Sequence, residues 1–173
     1  IEGRSYDFVI DTGASTAVVG LRPITDLSLK PVSKLPGVSG GGSYNADLAL
    51  LRNFKVGKVT VNMQAVMVRD TRMFPPNVSG LVGINFLSKF KHASFYFKNR
   101  TFKCSNNPLK LGSGYVQIPF QRHPLGLIFV PLNIDGDTVY TTIDTGSAQT
   151  ILQNVRSTSN ARKLGQRDGI GID

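Results

Sequence analysis

Two aspartates occupy the same point in two copies of one short motif. Phe8-Val9-Ile10-Asp11-Thr12-Gly13-Ala14-Ser15 recurs as Thr141-Thr142-Ile143-Asp144-Thr145-Gly146-Ser147-Ala148. In each copy an apolar, β-branched run delivers the aspartate into a tight Thr-Gly turn. A carboxylate at the end of a buried strand is costly unless something shares or stabilises its charge. Two such carboxylates on repeated scaffolds can do this for each other by sharing one proton across a pseudo-twofold axis, which is a way to run acid and base chemistry from one site. A single Asp-Thr-Gly is a weak signal, because Asp and Gly are favoured in any turn after a strand. Two copies behind matching strands are a strong one.

The elements that must position these residues also repeat. With Asp11 set on Asp144, Ile1-Glu2-Gly3 falls on Ile134-Asp135-Gly136 without a gap, Ile10 on Ile143, and Ala17-Val18-Val19 on Thr150-Ile151-Leu152. Each copy reads as a strand, a Gly turn, a second strand ending in Asp-Thr-Gly, and a hydrophobic strand leading away. Residues 115–120 and 127–134 read as further strands ahead of the second copy. Their counterparts in the first copy would lie upstream of Ile1. Ile1-Glu2-Gly3-Arg4 is also a tag-removal protease sequence, so an engineered scar is a second reading of the start.

Past Asp11, residues 35–42 are rich in Pro and Gly, and Ser39-Gly40-Gly41-Gly42-Ser43 reads as a flexible hairpin tip. Strand-like segments follow at 44–51, 58–62 and 64–69, then a Pro75-Pro76 loop and the run Ser79-Gly80-Leu81-Val82-Gly83-Ile84-Asn85-Phe86-Leu87. Residues 86–91 suit a short helix and 94–103 a hairpin turning near Asn99-Arg100. Residues 104–114 read as a linker. The organisation expected is a first repeat over 1–103, the linker over 104–114, and the first half of a second repeat over 115–173.

Composition agrees with an all-β chain. Its 173 residues suit one ordinary domain or two small ones, and a 40% hydrophobic content is enough for a packed core. Eighteen glycines and nine prolines, with many Val, Ile, Thr, Phe and Tyr, favour short strands and turns over long helices. No apolar run reaches transmembrane length. The single cysteine, Cys104, excludes an internal disulfide and reads as structural. His92 and His123 have no partners at ligand spacing, and neither a metal set nor a phosphate loop is visible. The net charge of +9 is spread along the chain and suits acidic substrates or surfaces. Aromatic and basic residues interleave over 95–103 as in single-strand RNA platforms, but the glycines of the RNA-binding consensus are absent, and a hairpin with one buried face is the simpler reading.

Asp11-Thr12-Gly13-Ala14-Ser15, the glycine-rich hairpin, and Gly80-Leu81-Val82-Gly83 with Ile84-Asn85-Phe86-Leu87 together resemble the retropepsin-like aspartic peptidases, the family of retroviral proteases and their bacterial relatives. The second copy is similar from about Tyr115 onward, through Asp144-Thr145-Gly146-Ser147. The resemblance implies an all-β fold of duplicated, closed β-barrel or sandwich lobes with at most one short helix per repeat. It implies a catalytic dyad of Asp11 and Asp144: the ionised member takes a proton from a water that attacks a peptide carbonyl, and the protonated member polarises that carbonyl. Thr12 and Thr145 would cross-link the two loops by hydrogen bonds, and Gly13 and Gly146 would leave room for their approach. Leu81 and Val82 would thread behind the catalytic loop, with Gly83 allowing close contact. Val38, Ser39, Gly40, Gly41, Gly42, Ser43 and Tyr44 would form a flap that closes over an extended substrate.

The expected partner is a peptide or protein substrate, with no cofactor, no metal and no nucleic acid. The tandem motif favours a bilobal monomer, completed by a missing or separate C-terminal segment, over a homodimer pairing two copies of Asp11. The resemblance also leans toward the periplasm or the extracellular space. The rival reading is a module of the same fold that grips extended peptides without cutting them.

Overall fold

A computed structural model describes residues 1–39, 42–70 and 74–149, which are built mostly from strands. The first half forms β1 (Asp7–Ile10), β2 (Ala17–Val19), α1 (Leu21–Asp26), β3 (Ser33–Ser39), β4 (Gly42–Val56), β5 (Val59–Val68), β6 (Val78–Val82) and α2 (Ile84–Leu87). Six of these strands make one sheet in the order β1-β6-β2-β5-β4-β3. Strands β1 and β6 run parallel, as do β2 and β5, while β2 lies antiparallel to β6. Parallel neighbours need both faces covered, and here the residues of β6 are almost continuously buried.

The core lies where β2, β4, β5, β6 and α2 meet. Ala17, Val19, Leu51, Val66 and Val82 fill it beneath Phe86 and Leu87 of α2. A chain of edge-on and tilted rings, Phe8 to Phe54 to Phe86 to Phe90, runs through it with centroids 5.5–5.8 Å apart. Such spacing suits the quadrupoles of aromatic rings and adds about 0.5–1.5 kcal/mol per pair to their burial. This ring stack pins α2, and with it the turn that faces the Asp11 loop.

The remaining strands form two small sheets. The hairpin of β7 (His92–Tyr96) and β8 (Thr101–Ser105) turns through a 3-10 helix at Phe97–Asn99, with Arg100 left-handed at φ 50°. It faces inward through Phe95 and Phe102, whose centroids lie 5.1 Å apart. The third sheet has β9 (Gln121–Arg122), β10 (Ile128–Ile134) and β11 (Asp137–Thr142), in the order β11-β10-β9. Its β10–β11 turn uses Asp135 and Gly136 at φ 51° and 94°. Glu2 and Gly3, before β1, adopt φ 50° and 82°. Two successive left-handed residues are what a tight hairpin turn requires.

Several expectations need correction. The six-stranded sheet is open, with β1 and β3 as its edges, so no closed barrel exists among the described residues. The first half has two short α-helices rather than one at most. The unexpected one, α1, carries Pro23 in its first turn, where a missing N–H leaves no helical bond unmade, and buries that proline fully. The helix expected over 86–91 sits earlier, at Ile84–Leu87. Segments 58–62 and 64–69 fuse into the single strand β5, because Met63 pairs with Arg52 of β4 and leaves no break. Residues 115–120 form no strand and stand exposed; Pro119 cannot donate to a ladder, and apolar alternation alone supplied no partner. No helix among the described residues is long and apolar enough to cross a membrane.

Candidate active site

Strand β1 ends at Ile10, and the ladder to β6 continues for one more bond: Asp11 N–H donates to the Val82 carbonyl at 3.0 Å. Asp11 is thereby fixed at the mouth of the sheet, 8% exposed, and Thr12 beside it is 9% exposed. The backbone then turns back over the carboxylate. Asp11 Oδ1 accepts from Gly13 N–H at 2.7 Å and from Ala14 N–H at 3.1 Å.

The second loop has the same local geometry. Asp144 Oδ1 accepts from Gly146 N–H at 2.7 Å and from Ser147 N–H at 3.2 Å. It follows β11, the strand that corresponds in sequence to β1. Asp144 is exposed where Asp11 is buried.

Four hydrogen bonds join the loops across a local twofold. Thr12 N–H donates to Thr145 Oγ1 and Thr145 N–H to Thr12 Oγ1, both at 3.1 Å. The Thr12 hydroxyl donates to the Ile143 carbonyl at 2.5 Å, and the Thr145 hydroxyl to the Ile10 carbonyl at 2.6 Å. Each hydroxyl thus reaches the residue just before the opposite aspartate. The result is close apposition: a Cβ at Gly13 would stand 2.5 Å from Asp144 Oδ2, and one at Gly146 would stand 2.7 Å from Asp11 Oδ2. A methyl group at either position would force the opposite carboxyl to move.

Burial pushes the Asp11 carboxyl up to about 6 from an ordinary value of 3.8, reinforced by the negative charge of Asp144 and a hydrogen bond to it. The amides of Gly13 and Ala14 oppose that rise without cancelling it. A carboxyl so placed keeps a proton at mildly acidic pH. The pair can therefore activate a water and protonate a leaving group in one place.

Leu81 and Val82 lie alongside this loop, Leu81 between Val9 and Val18 and Val82 beside Ile10. A Cβ at Gly83 would come 2.6–2.8 Å from backbone atoms of Ala14 and Thr16, so α2 begins in direct contact with the loop after Asp11. Ile84 N–H donates to the Ala14 carbonyl at 2.8 Å and Asn85 N–H to the Ser15 carbonyl at 3.0 Å.

The glycine-rich segment forms the end of the β3–β4 hairpin, with Val38 opposite Ser43 and Ser39 opposite Gly42. Gly40 and Gly41 lie outside the described residues. Tyr44 packs over Gly37, its partner across the strands, and carries the Arg69 guanidinium 3.7 Å above its ring centroid. Its hydroxyl donates to Met67 Sδ at 3.7 Å. Among the described residues no hydrogen bond joins this hairpin to either Asp-Thr-Gly loop. The sequence reading of Thr150-Ile151-Leu152 also falls outside the described residues.

Two features escaped sequence reasoning. Arg69 closes the strand-like segment 64–69 in sequence, and nothing there marks its stacking on Tyr44. Asn85 belongs to the run that carries the family resemblance but has no role of its own in that reading; one amide among Ile84, Phe86 and Leu87, all buried, was the available signal. No cluster of three or more His, Cys, Asp or Glu side chains able to hold a metal occurs among the described residues. Burial pushes the Cys104 thiol up, which disfavours the reactive thiolate. A cavity of about 710 Å³ lies beside β1, lined by Tyr6, Phe8, Phe54 and Val56 among others, and neither aspartate lines it. The geometry of two opposed loops is a better guide to chemistry here than cavity size.

Residues 1–86 match a family model described as aspartyl protease, which supports an aspartyl protease family for this chain. No curated protein and no solved structure matches it.

Proposed function

We propose that the chain is an aspartic endopeptidase in which Asp11 and Asp144 form the catalytic dyad. The premise is the aspartyl protease match over residues 1–86, which covers Asp11 but not Asp144. The observation that carries the reading is the reciprocal bonding of Thr12 and Thr145, which sets the two carboxylates face to face within one chain.

In this reading Asp11, the buried member, holds the shared proton, and the charge rests on the more exposed Asp144. A water between them gives a proton to Asp144 as its oxygen bonds to the peptide carbonyl carbon, while Asp11 donates its proton to the carbonyl oxygen. The tetrahedral diol then collapses: Asp144 passes its proton to the amide nitrogen, the C–N bond breaks as one diol hydroxyl gives its proton to Asp11, and a carboxylic acid and an amine leave with the dyad restored. No cofactor takes part. The loop amides that hold each Oδ1 fix the carboxyl planes before substrate arrives.

The wider reading is a tandem retropepsin-like protein with a first repeat over 1–103, a linker over 104–114 and the first half of a second repeat over 115–173. Its support is the gapless sequence repeat and the matching left-handed pairs Glu2-Gly3 and Asp135-Gly136. The intrachain apposition of Asp11 and Asp144 favours a bilobal monomer over a homodimer. The β3–β4 hairpin, with its three consecutive glycines, acts as the substrate flap, and an exported protein is the favoured setting. Cleavage of a peptide library, lost in Asp11→Asn and in Asp144→Asn alike, is the test. Peptide binding without cleavage would instead indicate a recognition module.

A further inference from the structure

The residue just past the start of α2 is tied to the Asp11 loop more closely than packing requires. Asn85 Oδ1 accepts from Ala17 N–H at 2.8 Å, and Asn85 Nδ2 donates to the Ala65 carbonyl at 2.9 Å. With the backbone bonds from Ile84 and Asn85 to the Ala14 and Ser15 carbonyls, four bonds run from two consecutive residues to the loop after Asp11 and to β5. The flanking Phe86 is wholly buried in the ring stack, so the amide has a rigid base. Ala17 is itself fully buried, and no water can replace a lost partner for its N–H.

The two ends of the Asn85 amide differ in what their loss would do. The Ala65 carbonyl also accepts from Gln64 Nε2 at 3.1 Å, so β5 keeps a donor without Asn85. The stranded group would be Ala17 N–H, three residues beyond Ala14, whose own N–H holds Asp11 Oδ1. The consequence falls on the loop that aims Asp11.

We propose that Asn85 is a positioning residue for the dyad, acting through the Ala14–Ala17 backbone to hold the Asp11 carboxyl in its working orientation. This rests on the peptidase reading above and adds to it a residue that touches neither aspartate. A misplacement of catalytic groups by about 1 Å, far from the chemistry, costs up to roughly 100-fold in rate.

The test compares wild type with Asn85→Ala, Asn85→Asp and, as a control, Asp11→Asn. Asn85→Ala should lower kcat by roughly 10–100-fold with KM little changed. Asn85→Asp should lose activity near neutral pH, where its carboxylate is repelled by the Ala65 carbonyl and is drawn away from Ala17 N–H. It should regain activity as the pH falls, because a protonated carboxyl can again accept from Ala17 and donate to Ala65. Asn85→Ala should show no such recovery. The Asp11 carboxyl, followed by carbon-13 NMR titration in each folded variant, should move toward ordinary aspartate values in Asn85→Ala. Wild-type kcat, pH profile and Asp11 titration in both variants, with only a lowered melting temperature, would overturn the proposal. Absence of cleavage by wild type itself would strike the peptidase reading, and the NMR titration would still decide the role of Asn85.

Discussion

Thr12 and Thr145, 133 positions apart, accept each other's backbone N–H through their hydroxyl oxygens at equal distances of 3.1 Å. Each hydroxyl then donates onward to a carbonyl of the opposite strand end. Threonine supplies the two functions this arrangement needs, one donor and two acceptor sites on a single short arm. The lock therefore depends on both copies of the motif, and its energetics should be cooperative.

Removing either hydroxyl breaks two of the four bonds and strands the partner's N–H. Thr12→Val and Thr145→Val should each cost about 1–3 kcal/mol in unfolding free energy, the range for a buried group left without its partner. Each change removes a different pair of the four bonds, yet the double variant should cost less than the sum, because loss of the first pair already lets the loops part and weakens the second. Thr→Ser at either position should be close to neutral. Urea denaturation of wild type and these variants checks this, and additive losses would mean that the two loops are not coupled.

Gly13 and Gly146 make a second, more local prediction. Each leaves space that the opposite carboxyl fills, so a methyl group there would meet an oxygen at 2.5–2.7 Å. Gly13→Ala should displace Asp144, and Gly146→Ala should displace Asp11. Because each clash falls on a single side chain, peptide cleavage should fall by at least about 100-fold while stability falls by only about 1–3 kcal/mol. Parallel assays of kcat and melting temperature separate the two effects.

The raised Asp11 pKa fixes a pH dependence with a definite sign. Between 3.8 and about 6 the folded state binds a proton that the unfolded chain has released. Stability from this group is therefore greatest below that window and declines as pH rises through it. Activity should fall on the alkaline side as pH passes about 6, when the dyad loses its shared proton. Asp11→Asn should remove this part of the stability change between about pH 4 and about pH 7. Denaturation curves at those two pH values, compared between wild type and variant, measure it.

Tyr44 and Arg69 give a prediction for the hairpin. The guanidinium lies 3.7 Å from the ring centroid and ties β4 to the residue after β5. Arg69→Met should cost about 0.5–1 kcal/mol. It should also speed amide exchange over Gly42, Ser43 and Tyr44 more than elsewhere in β4, as hydrogen-exchange NMR would show.

The sequence alone made the paired aspartates, their threonines and glycines, and the β-rich character legible, because a repeat exposes its own alignment. The hairpins at β3–β4 and β7–β8 were legible for a similar reason: glycine and alternating aromatics mark turns and faces locally. Residues 115–120 alternate as a strand does yet pair with no strand among the described residues, since pairing is a property of two segments and periodicity reports on one. Helix α1 was hidden by Pro23, which breaks a helix interior but is harmless in a first turn. Asn85 was hidden because its partners, Ala17 N–H and the Ala65 carbonyl, are backbone atoms brought together only by the fold.

The central claim is that Asp11 and Asp144 work as one dyad in one chain. The most direct measurement is cleavage of a mixed peptide library from about pH 3 to about pH 8 by wild type, Asp11→Asn and Asp144→Asn. The account predicts cleavage by wild type that weakens above about pH 6 and a loss of at least about 100-fold in each variant. Undiminished cleavage in either variant, or peptide binding with no product from wild type at any pH, would contradict it.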